Sequence, residues 1–126
     1  MRVLLDTAAF IYAAREPERL SRPAASVIED PESVLDLSSV SLVEIAIKSA
    51  LGKITFSAEL TREVIERLSV RVLPFTSEHG FGFFLLPPRH ADPFDRQIIA
   101  QAISEQVPVV TPDKHFRLYS GLRVIW

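Results

Sequence analysis

Val3-Leu4-Leu5-Asp6-Thr7-Ala8-Ala9-Phe10-Ile11-Tyr12 changes its periodicity partway along. Val3 to Leu5 is continuously apolar, as expected of a strand buried on both faces of a parallel sheet. From Ala8 to Ala13 the pattern is helical, and Asp6 stands at the hand-over. Open parallel sheets place their ligands beyond the C-terminal ends of the strands. An aspartate there is equally at home as a helix N-cap. Both readings of Asp6 stay open at this point.

Working outward, Val34-Leu35-Asp36-Leu37, Val107 to Val110 and Val124-Ile125 read as further strands. Val70 to Leu73 reads either as a fifth strand or as a connection. Between them lie helical stretches. Ala24 to Glu29 follows Pro23, which suits a first turn. Ser41 to Leu51 has Ser41 as N-cap, Glu44 three residues on and Gly52 as a stop. Another helix runs from about Glu59 to Leu68, and the strongest from Asp92-Pro93 to Glu105. Strands alternating with helices predict a three-layer α/β/α domain around a mostly parallel sheet, spanning residues 1–126 without repeat or linker.

Three further carboxylates occupy informative places. Glu44 lies in a helix that is apolar nearly all round, between Leu42, Val43, Ile45 and Ile47. A capping box with Ser41 or an i,i+4 pair with Lys48 would account for it, as would a bound cation compensating its burial. Asp95 follows a clean helix start, Asp92 as cap and Pro93 at N1, where an acid also suits the dipole. It shares a stripe with Ile98, Ile99 and Ala102, so it is expected to face the sheet. Asp113 follows Thr111-Pro112, which reads as N-cap and N1 after the strand ending at Val110. Gathered at one sheet edge, Asp6, Glu44, Asp95 and Asp113 would repel one another unless protons or a divalent metal compensated them. Oxygen-only ligands suit Mg²⁺ or Mn²⁺.

Composition narrows the alternatives. With 126 residues and 48% hydrophobic content, the chain is long enough for one real core. The absence of cysteine removes thiolate zinc sites and cysteine nucleophiles. His79, His90 and His115 make no zinc-binding spacing. No secretory signal or membrane-length apolar run is seen, so a cytoplasmic protein is expected. A formal net charge of -2 gives no general affinity for nucleic acid. From Arg89 onward, however, basic side chains number 5 against 4 acidic, and three of those acids are Asp92, Asp95 and Asp113. Phosphatases of the haloacid-dehalogenase type need a second aspartate where Ala8 stands, and receiver domains need an acidic pair before the first strand.

Taken together, LLDTAAFIY (Leu4 to Tyr12), SSVSLVEIAIKSALGKI (Ser38 to Ile54), HADPFDRQIIAQA (His90 to Ala102) and VVTPDKHFRLYSGLRVIW (Val109 to Trp126) resemble the PIN-domain family. The likeness is specifically to the VapC-like toxins of bacterial type II toxin–antitoxin pairs and covers essentially the whole chain. It implies a PIN-like fold and a ribonuclease that depends on Mg²⁺ or Mn²⁺. Asp6, Glu44, Asp95 and Asp113 would then be both catalytic residues and metal ligands. Thr7 and Thr111 match small hydroxyl positions near the centre, and Arg96 the basic residue after the third acid. The resemblance also implies an RNA substrate, an antitoxin partner and a homodimer. His115 stands where many relatives carry another acid, and Gly80-Phe81-Gly82-Phe83-Phe84 is richer in phenylalanine than is usual. With Leu85 and Leu86, that segment suggests a surface for a second subunit or an antitoxin. The rival reading is a non-catalytic RNA- or protein-binding module whose acids only cap helices.

Overall fold

The computed structural model describes residues 1–126. Five strands, β1 (Arg2–Leu5), β2 (Val34–Ser38), β3 (Arg71–Leu73), β4 (Val109–Val110) and β5 (Val124–Ile125), form one sheet in the order β3-β2-β1-β4-β5. Every pairing is parallel. The helices are α1 (Thr7–Arg15), α2 (Arg22–Glu29), α3 (Ser39–Ala50), α4 (Ala58–Arg67), α5 (Ser77–Phe84) and α6 (Pro93–Glu105). Single 3₁₀ turns at Pro17–Arg19 and Lys114–Leu118 complete the chain. No helix is long and apolar enough to cross a membrane.

Central strands need apolar side chains on both faces, and β1 supplies them in alternation. Val3 and Leu5 join a core with Phe10 of α1, Ala24 of α2, Ile45 of α3 and Val64 of α4. Leu4 points the other way, into a core with Ile98, Ile99 and Ala102 of α6 and Phe116 of the second 3₁₀ turn. Val109 and Val110 divide between the same two cores. This double burial makes the chain an α/β sandwich of three layers.

Several local expectations change. The strand expected over Val107 to Val110 pairs only at Val109 and Val110, although the Pro108 carbonyl still accepts the Leu4 amide at 2.9 Å. Val70 to Leu73 does supply the fifth strand, as Arg71–Leu73. Helix α3 begins directly out of β2 with Ser38 as its cap, its hydroxyl accepting the Val40 amide, so Ser41 is interior and forms no capping box with Glu44. Gly52 does sit just beyond that helix, at φ 71°, the left-handed conformation that stops it. Asp113, not Thr111, caps the last 3₁₀ turn. Helix α5 covers the phenylalanine-rich segment, which the periodicity did not mark. It is started by a reciprocal cap in which the Thr76 hydroxyl accepts the His79 amide and His79 Nδ1 accepts the Thr76 amide.

Candidate active site

β1 and β4 lie side by side and end together, and the acidic site begins there. The Asp6 amide donates to the Val110 carbonyl at 3.1 Å, which pins Asp6 to the end of the neighbouring strand. Asp6 Oδ1 accepts the Ala9 amide at 2.7 Å, so the residue does cap α1. Its other oxygen accepts the Thr111 hydroxyl from beyond β4. Capping and membership of the site are therefore simultaneous. With 3% of its surface exposed, burial pushes its pKa up to about 7 against the two hydrogen bonds that lower it, and Glu44 and Asp113 raise it further.

Glu44 comes from the second turn of α3, which leaves directly from the end of β2, the strand next to β1. Its Oε1 accepts the Thr7 hydroxyl at 2.6 Å, and Thr7 lies 2.9 Å from the Ser41 hydroxyl. The other oxygen pairs with Lys48 one turn on, so of the two structural accounts the i,i+4 pair holds. The Glu44 hydrogen bond, with the charges of Glu44, Asp92 and Asp95, holds the Lys48 pKa up.

Asp92 caps α6, accepting the amides of Phe94 and Asp95 at 2.9 and 3.0 Å. That leaves Asp95 free, and its carboxylate accepts no well-formed hydrogen bond from the protein; His90 Nε2 is the nearest cation-capable atom, at 3.4 Å. Burial raises the Asp95 pKa to about 8, and repulsion from Asp92, Asp113, Asp6 and Glu44 adds to it. Asp113 behaves oppositely. Burial opposes its ionisation, but the His115 amide and ring, at 2.9 and 2.7 Å, outweigh it and pull the pKa below the usual value.

All four residues line one cavity of about 400 Å³, together with Thr7, Tyr12, Glu16, Arg19, Lys48 and Asp92. Six carboxylates thus face two cations, a distribution that strongly favours an added positive charge. No three His, Asp or Glu side chains are arranged to hold a metal ion by themselves. An ion that keeps several waters and binds through one or two carboxylates, as Mg²⁺ does, fits this oxygen-only set. A larger cavity, about 540 Å³, lies along α5 and α6, but it is mainly apolar and carries one carboxylate, Glu78. Chemistry, not size, selects the acidic one.

The remaining expectations divide. Thr7 and Thr111 lie within the site through Glu44 and Asp6. Arg96 does not line it: its guanidinium donates to the Pro87 carbonyl and the Tyr119 hydroxyl and stacks over Phe83. Asp92, one of the three late acids the sequence offers for a local site as well as a cap, does line the cavity, whereas nothing in the sequence marks Arg19. Arg19 packs over the Tyr12 ring at 4.1 Å on the cavity wall, and no local pattern distinguishes it from an ordinary surface arginine.

An all-parallel sheet with carboxylates converging past the ends of β1 and β4 defines an α/β protein with an acidic cleft. The PIN domain family model matches residues 3–122, and the chain belongs to that family. No curated protein sequence matches significantly. Among solved structures, the chain is similar to VapBC2 from Rickettsia felis, determined bound to a DNA fragment from its promoter: TM-score 0.74, 19% identity, covering 98% of this chain and 97% of that one. DNA-bound VapBC from Salmonella typhimurium gives 0.73 and 18%, covering 98% and 96%. VapBC-1 from nontypeable Haemophilus influenzae gives 0.70 and 21%, with the same coverage. At these identities the likeness establishes the shared fold.

Proposed function

We propose that the protein is an endoribonuclease dependent on Mg²⁺ or Mn²⁺, and the toxin of a toxin–antitoxin pair. The observation that carries the reading is the convergence of Asp6, Glu44, Asp95 and Asp113 in one cavity with an excess of carboxylate over cation. Membership of the PIN family and likeness to VapBC structures support it.

Asp95 is the best direct metal ligand, because its oxygens are not engaged by protein donors. Asp6 is the second, fixed in direction by Ala9 and Thr111. A bound divalent cation supplies a Lewis acid for the phosphoryl oxygens and lowers the pKa of a water molecule. Glu44, held by Thr7 and Lys48, orients that water or completes the ligand set. Asp113, kept ionised by His115, contributes negative charge from the rim through outer waters. Lys48 and Arg19 stand where they can meet the phosphates of an RNA strand.

The proposed setting is the cytoplasm, with RNA as substrate and a second copy and an antitoxin as protein partners. Phe81, Phe84 and Leu85, exposed at 67%, 85% and 86%, are the natural contact surface. Phe83 and Leu86 pack inward instead. A short reading frame immediately upstream, encoding a DNA-binding N-terminus and an amphipathic tail, is expected.

The test is cleavage of single-stranded RNA by purified wild-type protein and Asp95→Asn, with Mg²⁺, with Mn²⁺ and with EDTA. Metal-dependent cleavage by wild type, lost in the variant, is expected. Cleavage that survives EDTA or the substitution overturns the proposal.

A further inference from the structure

His90 lies beside the cavity but does not line it, and its ring is nine-tenths buried. It stacks on His115 with centroids 5.5 Å apart and planes 9° from parallel, and meets the edge of Tyr119. Its Nδ1 is 2.7 Å from the Tyr119 hydroxyl. Its Nε2 has no well-formed hydrogen bond and faces Asp95 Oδ2 at 3.4 Å.

The direction of each bond in this chain follows from donor chemistry. A guanidinium only donates, so the Arg96 bond of 3.0 Å uses the Tyr119 oxygen as acceptor. The phenol's own hydrogen then remains, and His90 Nδ1 is the acceptor within its reach. A neutral imidazole that accepts at Nδ1 carries its hydrogen on Nε2. That N–H lies in a buried position 3.4 Å from a carboxylate whose oxygens have no other donor, without closing a well-formed hydrogen bond in the metal-free protein.

We infer that His90 is a positioning residue: the relay Arg96 to Tyr119 to His90 sets the Nε2–H tautomer, and that hydrogen fixes the direction of the Asp95 carboxylate for metal binding. Separations of this kind commonly tighten when the ligand arrives. Partners one step removed from a metal change its affinity by about 10- to 100-fold when lost. The same relay explains why Arg96 is turned away from the cavity: it anchors Tyr119, and its second bond to the Pro87 carbonyl ties the loop before α6 to the helix.

The inference rests on the metal role proposed for Asp95, and its test separates the two. Long-range ¹H–¹⁵N NMR on the metal-free protein at pH 9, where carboxylates are ionised, reads the His90 tautomer directly. Nε2–H is expected in wild type; a wild-type ring protonated on Nδ1 overturns the relay. Titration with Mn²⁺ alone gives the second readout. Tyr119→Phe and His90→Leu should bind about 10-fold more weakly, while His90→Gln, which keeps an N–H donor at that position, should recover most of the loss. Unchanged Mn²⁺ affinity in Asp95→Asn overturns the metal role of Asp95. Affinity lost there but intact in Tyr119→Phe overturns the positioning role alone.

Discussion

Asp95 and Asp6 are acids whose surroundings oppose their charge, and that has a consequence for stability before any catalysis is considered. Their pKa values, about 8 and about 7, lie well above the ordinary aspartate value of an unfolded chain. Between those values the folded protein holds protons that the unfolded chain has released, so stability falls as pH rises. The metal-free protein should therefore melt at progressively lower temperature from about pH 5 to above pH 8. Mg²⁺ or Mn²⁺ should flatten that slope, and Asp95→Asn should flatten part of it without metal. A melting temperature rising steadily over this interval would contradict the assigned burial. For turnover, Asp95→Asn should reduce RNA cleavage by about 10²- to 10³-fold while leaving circular dichroism unchanged. Asp92→Asn keeps a competent cap and should change stability by under about 1 kcal/mol, with a much smaller loss of rate.

At the scale of elements, a second group of charges holds the opposite end of the strands. Asp36, wholly buried in β2, accepts Arg2 Nε at 2.7 Å and Arg71 Nε at 2.8 Å. Arg2 continues to Glu105 at the end of α6, which in turn meets His79 of α5. Asp36→Asn should cost about 1.5–3 kcal/mol in urea unfolding, the range for hydrogen bonds to a charged group. Cleavage by the folded fraction should stay at the wild-type rate. A rate that falls with stability intact would show that Asp36 reaches the acidic site. This end also explains what the sequence conceals. Local pattern marks α6 because Asp92, Pro93 and the Ile98-Ile99 stripe agree with one another. It does not mark α5, where Gly80 and Gly82 lower helix propensity and the stabilising contacts are tertiary: His79 on Glu105, on Phe75 and on the Thr76 amide. The cap that starts α3 is Ser38 and not the expected Ser41 for a related reason. Ser38 and Ser41 are both acceptable caps, and only the position where β2 ends chooses between them.

Over the whole molecule, the layers and the parallel sheet were readable because short apolar runs alternate with helical stretches along the chain. Asp6, Asp95 and Asp113 were readable as candidates because each sits at a strand end or a helix start, and Glu44 because it is a carboxylate in a largely apolar helix. Their shared cavity depends on β1 and β4 being neighbours, a pairing that separations of about a hundred residues leave open. The exposed Phe81, Phe84 and Leu85 likewise follow from how α5 lies on α6. If they form an oligomer contact, Phe84→Glu with Leu85→Glu should shift wild-type dimers to monomers in sedimentation at micromolar concentration. Monodisperse monomer in the wild type, with no binding of the upstream-encoded protein, would remove this surface from the account. The metal centre is tested most directly by anomalous diffraction from a crystal soaked in Mn²⁺. A peak in the acidic cavity, against the Asp95 and Asp6 oxygens, is predicted for wild type and should vanish in Asp95→Asn. An empty cavity in the wild type at millimolar Mn²⁺, with manganese bound elsewhere, would contradict the assignment.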